Sequence, residues 1–149
     1  MIIIVTGTPG TGKTTYAKKL AEDKGYAYVD VNEVIKSHNL SEGYDREMKC
    51  DIVDTDKLCR VLVEIIADAK ESGDSLIIDS HLSHYIPSKY VDKCVIMVCS
   101  DRKVLRKRLE ARGYSKKKVE ENIEAEIMES CLEDAREMGH NIEVVDGSK

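Results

Sequence analysis

Apolar residues along this chain fall into short solid runs separated by longer periodic stretches. Met1-Ile2-Ile3-Ile4-Val5 is a solid run rich in β-branched residues, the pattern of a strand buried on both faces. Tyr26-Ala27-Tyr28-Val29-Asp30, Ser75-Leu76-Ile77-Ile78-Asp79, Lys93-Cys94-Val95-Ile96-Met97-Val98-Cys99 and Asn141-Ile142-Glu143-Val144-Val145 read as four further strands. Helical spacing fills the gaps. The stretch Thr15–Glu22 reads as a first helix ended by Gly25, and Leu58, Val61, Leu62, Ile65, Ile66 and Ala69 form one face of a helix from Thr55 to Gly73. A basic helix is predicted over Asp101–Arg112, and Ser115 is placed to cap another running to about Met138. Val31 to Asp54 is mixed and polar, which predicts a small insertion or short helices outside the core sheet. Five short strands separated by helices predict an α/β fold: a parallel five-stranded sheet with helices on both faces. Ligands in such sheets bind at the carboxyl ends of the strands.

The first strand runs directly into Gly7-Thr8-Pro9-Gly10-Thr11-Gly12-Lys13-Thr14. This fits G-x-x-x-x-G-K-[ST] in the strand–loop–helix context a phosphate-binding loop requires. Gly10 and Gly12 let backbone N–H groups wrap phosphates without a Cβ in the way. The helix start that includes Thr15 adds unpaired donors and the positive end of a dipole. Lys13 can reach the β- and γ-phosphates of a bound triphosphate, and the Thr14 hydroxyl can hold Mg²⁺.

Other positions extend that chemistry. Asp79 ends an apolar strand, where its carboxylate can orient Mg²⁺ through water. His81, two residues on, can orient an attacking water or meet a phosphate. It forms H-x-x-H with His84, but two ligands without a third do not make a metal site; His38, His84 and His140 read as structural. Arg108 and Arg112 share a helix face one turn apart, and guanidinium groups suit phosphoryl charge.

Composition narrows the class. At 149 residues, 42% hydrophobic and 34% charged, this is one globular domain with a sizeable core. No apolar run is long enough to cross a bilayer, and the start of the chain reads as strand and not as a signal peptide. Five cysteines with no C-x-x-C pair predict free thiols in a reducing cytosol. A net charge of −5 disfavours non-specific nucleic-acid binding but suits a basic protein partner. The acidic residues after Ser115, from Glu120 through Glu126 to Glu137, read as a solvated face or, more sharply, as a docking surface.

The loop Gly7–Thr15 resembles that of adenylate kinases and related nucleoside monophosphate kinases. Gly43-Tyr44-Asp45, Cys50-Asp51-Ile52-Val53-Asp54, Asp79-Ser80-His81 and Arg108-Leu109-Glu110-Ala111-Arg112-Gly113-Tyr114 narrow the likeness. Together they resemble the atypical adenylate kinases of ribosome biogenesis, the CINAP type, within the P-loop nucleoside monophosphate kinases. The resemblance runs from Ile3 to about Cys131. It implies a P-loop three-layer sandwich spanning residues 1–149 as one domain, with a monophosphate-binding segment at about 30–53 and a short lid at about 111–121. It implies ATP held by Gly10, Gly12, Lys13, Thr14 and Thr15, with Arg112 on the same nucleotide and His81 linked to ATP hydrolysis. It also implies adenylate kinase activity on AMP, a small-subunit ribosomal protein as partner, contact with pre-ribosomal RNA, and a cytoplasmic or, in a eukaryote, nuclear setting.

Two departures stand out. Ordinary adenylate kinases clamp AMP with an Arg after the third strand, where this chain has Asp79-Ser80-His81-Leu82-Ser83. Arg46 and Lys49 are the remaining candidates. The chain also ends at Lys149, where the family continues into a final helix; Asp146-Gly147-Ser148-Lys149 is expected to lie against the adenine, with Lys149 on the base. The expected function is phosphoryl transfer from ATP to AMP. The alternatives are an ATP-driven assembly factor that grips and releases a basic ribosomal protein, and another small-molecule kinase of the same fold.

Overall fold

A computed structural model describes residues 1–47 and 50–148; Lys49 and Lys149, named above, lie outside them. Among the described residues the sheet is formed by β1 (Ile2–Gly7), β2 (Ala27–Asp30), β5 (Leu76–Asp79), β6 (Lys93–Val98) and β7 (Ile142–Asp146). These five are parallel and lie side by side as β2-β5-β1-β6-β7. The five strands are those the apolar runs predict. The remaining pair, β3 (Ser41–Asp45) and β4 (Cys50–Val53), forms a separate antiparallel hairpin.

Both faces of the sheet are covered. Ile2, Ile4, Leu76, Ile78, Cys94 and Ile96 point to one side. There they meet α2 (Val31–Ser37), α3 (Thr55–Ser72) and α6 (Ser130–Glu137). Ile3, Val5, Ile77, Val95 and Met97 point to the other, against Ala17 and Ala21 of α1 (Lys13–Lys24). The alternation along each strand is the period-2 rule acting in a sheet buried on both sides. Cys99 with Leu105 and Leu109 of α4 (Arg102–Ala111) and Val119 and Ile123 of α5 (Lys116–Ile127) makes a third cluster beyond the end of β6.

Helix ends follow local chemistry. Asp30, Asp54, Asp101 and Ser115 accept backbone N–H groups at the starts of α2, α3, α4 and α5. The stretch 31–54 lies outside the core sheet, as expected; its described residues include the short helix α2 and the β3–β4 hairpin, whose exposed strands hid their periodicity. One expectation needs correction. The helix expected from Ser115 to about Met138 is two helices. Glu129 lies between them at φ 54, a left-handed conformation that ends α5 and redirects the chain into α6.

His84 is buried beneath β1, where its Nδ1 shares a 2.7 Å hydrogen bond with Thr6 Oγ1. Burial, opposed in part by Asp134, holds its pKa below 6.5. A histidine lowered in the native state binds protons preferentially when unfolded, so its stabilising contribution is present above the unfolded value and lost as pH falls below it. Urea midpoints should therefore fall between about pH 7.5 and about pH 5.5. His84→Gln, which cannot titrate, should make that slope shallower and leave the part due to His81, whose pKa is also lowered; an unchanged slope would exclude His84 as a source.

Candidate active site

The site is built where β1 ends at the centre of the sheet. Gly7 has φ 148, and a Cβ there would lie 2.4 Å from the Met97 carbonyl oxygen, so the loop leaves the sheet where no side chain fits. Thr11 Oγ1 then donates to the Thr8 carbonyl at 2.7 Å and closes the loop on itself. Two side chains clamp it from outside. The Glu126 carboxylate accepts from Thr8 Oγ1 at 3.3 Å and from the Cys99 N–H at 2.6 Å. Arg108 donates from its two terminal nitrogens to the carbonyl oxygens of Gly10 (3.2 Å) and Gly147 (2.9 Å). Gly147 lies so near the loop that a Cβ on it would meet the Thr11 carbonyl oxygen at 1.9 Å.

Two cavities meet over this loop. One, of about 670 Å³, runs between the loop, Tyr16, Arg108 and Gly147. The other, of about 620 Å³, runs past Lys13, Asp79 and His81 to Asn32, Tyr44 and Asp51 of the polar insertion. Gly12, Thr15 and Arg112 line both. Each volume lies in the range of ligand sites. No group of three or more His, Cys, Asp or Glu is arranged to hold a metal ion among the described residues.

Most of the expected site residues converge on this junction. Lys13, Thr14, Asp79 and His81 share the second cavity. Burial pulls the Lys13 ammonium below its ordinary pKa, while Asp79 opposes the shift. Confinement in the cleft, then the charges of Lys13, His84 and Lys118, pushes the His81 imidazole down to about 4. Its side chain still opens to solvent, so screening weakens the shift but not its direction, and the ring is neutral at pH 7. Asp79 is buried and accepts from the Tyr28 hydroxyl at 2.6 Å. Arg112 lies beside Tyr114, to whose hydroxyl it donates at 3.4 Å.

Other residues stand differently. Arg108 lines the first cavity, but its guanidinium grips backbone carbonyls. Arg46 lines neither cavity. Gly147 and Asp146 do lie at the first cavity, as expected of the loop after the last strand. Three residues at the site were not singled out. Tyr28 read only as a strand residue. Lys118, buried with its Nζ 3.8 Å over the Tyr114 ring, lines the second cavity. Glu126 was grouped with the solvated acids, yet it is 9% exposed and its pKa is raised by burial.

Comparison with known proteins follows the same outline. A family model described as an AAA domain matches residues 3–129. A Caenorhabditis elegans protein named adenylate kinase isoenzyme 6 homolog is 37% identical over 136 residues, covering 91% of this chain and 72% of that one. A Schizosaccharomyces pombe protein of the same name is 41% identical over 135 residues, covering 91% of this chain and 74% of that one. Among solved structures, an unliganded sugar kinase from Janibacter sp. HTCC2649 superposes with a TM-score of 0.63 at 21% identity. It covers 99% of this chain and 86% of that one, and at such identity speaks for the fold alone.

Removing the Glu126 carboxylate leaves the Cys99 N–H and the Thr8 hydroxyl without their acceptor. Glu126→Ala should cost about 2 kcal/mol, read from urea unfolding. Glu126→Gln, which keeps an acceptor oxygen, should cost less; equal losses would contradict the hydrogen-bonding role.

Proposed function

The chain belongs to the adenylate kinase isoenzyme 6 family of P-loop kinases, and from that premise we propose that it moves the γ-phosphoryl group of ATP to AMP. The observation that carries this reading is the pair of cavities joined over the phosphate loop, with Gly12, Thr15 and Arg112 common to both. ATP lies in the first cavity with its phosphates on the loop, and the acceptor monophosphate in the second. The likeness to the kinases of this family supports ATP and AMP as the nucleotides.

Each residue then has a part. Gly10, Gly12 and Thr15 cradle the donor phosphates with backbone N–H groups. Lys13, desolvated in the cleft, offers its charge to the moving phosphoryl group at full strength. Arg112 faces both cavities and neutralises charge on donor and acceptor sides alike. Lys118 adds a cation to the wall of the acceptor cavity. The Thr14 hydroxyl and Asp79 carboxylate are hard oxygen donors at one place, a set that fits Mg²⁺. When bound, Mg²⁺ would neutralise phosphate oxygens. Catalysis is positioning and charge stabilisation, with no covalent intermediate.

A second reading, ATP hydrolysis driving release of a basic small-subunit ribosomal protein in ribosome maturation, rests on His81. Its neutral imidazole opens into the acceptor cavity beside Lys13 and can hold a water where the monophosphate would sit. The exposed acids Glu120, Glu121, Glu124, Glu129, Glu133 and Glu137 along α5, α6 and the turn between them supply a face for such a partner, next to pre-ribosomal RNA.

Incubation with Mg-ATP, with and without AMP, GMP and CMP, separates the readings. Two ADP formed per AMP lost supports the kinase; ADP and free phosphate unaffected by AMP overturns it in favour of hydrolysis. Lys13→Ala should lower both activities about a hundredfold or more. His81→Ala should cut hydrolysis about a hundredfold and transfer far less. Equal losses would remove His81 from water positioning.

A further inference from the structure

The hydroxyl of Tyr28 reaches a carboxylate at the end of β5. It donates to Asp79 Oδ2 at 2.6 Å. Asp79 lines the same cavity as Thr14 of the phosphate loop. Tyr28 itself comes from β2, where it pairs in register with Ile77, two residues before Asp79. Its ring packs in the apolar cluster beneath α1, with Lys18 Nζ 5.7 Å from the ring centroid. The ring is thus held by packing, and the hydroxyl reaches a carboxylate that is 5% exposed.

We propose that Tyr28 is a positioning residue for the cation site: it fixes the Asp79 carboxylate by occupying Oδ2, so that Oδ1 is presented beside Thr14 to a hydrated divalent cation. A hydroxyl-to-carboxylate bond of this length is charge-assisted and geometrically strict. A carboxylate has several lone-pair directions; tying one oxygen decides which remain for a metal-bound water. A phenol hydroxyl is protonated at neutral pH and so serves as the donor in this pair. Partners of this kind, one bond removed from a metal, orient its ligands. The placement also joins the cation site to the acceptor side, because β2 leads through Asp30 directly into α2 and the insertion.

The inference rests on the nucleotide-and-metal reading above, and the test separates the two. Mn²⁺ serves as the probe: its free paramagnetic signal is titrated against the protein–ADP complex in the wild type, Tyr28→Phe and Asp79→Asn. Metal-free ADP affinity is measured alongside by calorimetry. Tyr28→Phe should weaken Mn²⁺ binding about tenfold and leave metal-free ADP affinity within about twofold. The Mg²⁺ concentration for half-maximal turnover should rise by the same factor as the Mn²⁺ constant, with turnover recovering at saturating Mg²⁺. Unchanged Mn²⁺ affinity in Tyr28→Phe, with loss in Asp79→Asn, overturns the role of Tyr28 and leaves the cation site standing. An equal drop in metal-free ADP affinity assigns the hydroxyl to structure and overturns it as well. A wild-type complex that holds no Mn²⁺ overturns the metal reading and this inference together.

Discussion

Arg108 carries the constraint on which the nucleotide site depends. A phosphate loop must keep its backbone N–H groups turned inward, and it has little side-chain packing of its own to enforce that. Here the guanidinium takes hold of the Gly10 carbonyl with one nitrogen and the Gly147 carbonyl with the other. The loop after the central strand and the loop after the edge strand are thereby fixed relative to each other. A lysine would supply the charge but not the fork. The charge is therefore used first to build the cradle.

Glu126 performs the matching task from the opposite direction. Its carboxylate joins the start of the loop to the end of β6 through Thr8 and the Cys99 N–H. Burial of such a group is tolerated because its lone pairs are met. One cation from α4 and one anion from α5 thus brace the same eight-residue turn, and the two helices pack on each other through Leu105, Leu109, Val119 and Ile123. The site is as rigid as that small satellite core.

The sheet was legible because parallel strands buried on both faces leave solid apolar runs, and the phosphate loop because its glycines answer a steric demand. Asp79 and His81 followed from their place at a strand end. The hairpin was hidden because β3 and most of β4 are exposed, so no buried face imposed a period. The break at Glu129 was hidden because an isolated left-handed residue has no reliable residue signature outside Gly and Asn. Glu126 was readable in principle: it falls three residues after Ile123 and seven after Val119, on the buried stripe of α5. Its chemical type argued for solvent and outweighed its position. Tyr28 left no such trace, since its role comes from a reach across strands between residues 28 and 79.

The close approach of Gly147 to Thr11 has a consequence for how the molecule reaches its working state. The nucleotide cradle joins residues 136 positions apart, and the strand that brings Gly147 there, β7, docks on β6 at the far edge of the sheet. Without β7 the central strands and the glycine turn lack Val145, Asp146 and Gly147, which line the first cavity. Nucleotide binding therefore reports completion of the sheet. By mass action any ligand that fills this cavity favours the molecule with its edge strand docked over one with that strand frayed, so the ligand also acts as a late adhesive for the fold that holds it.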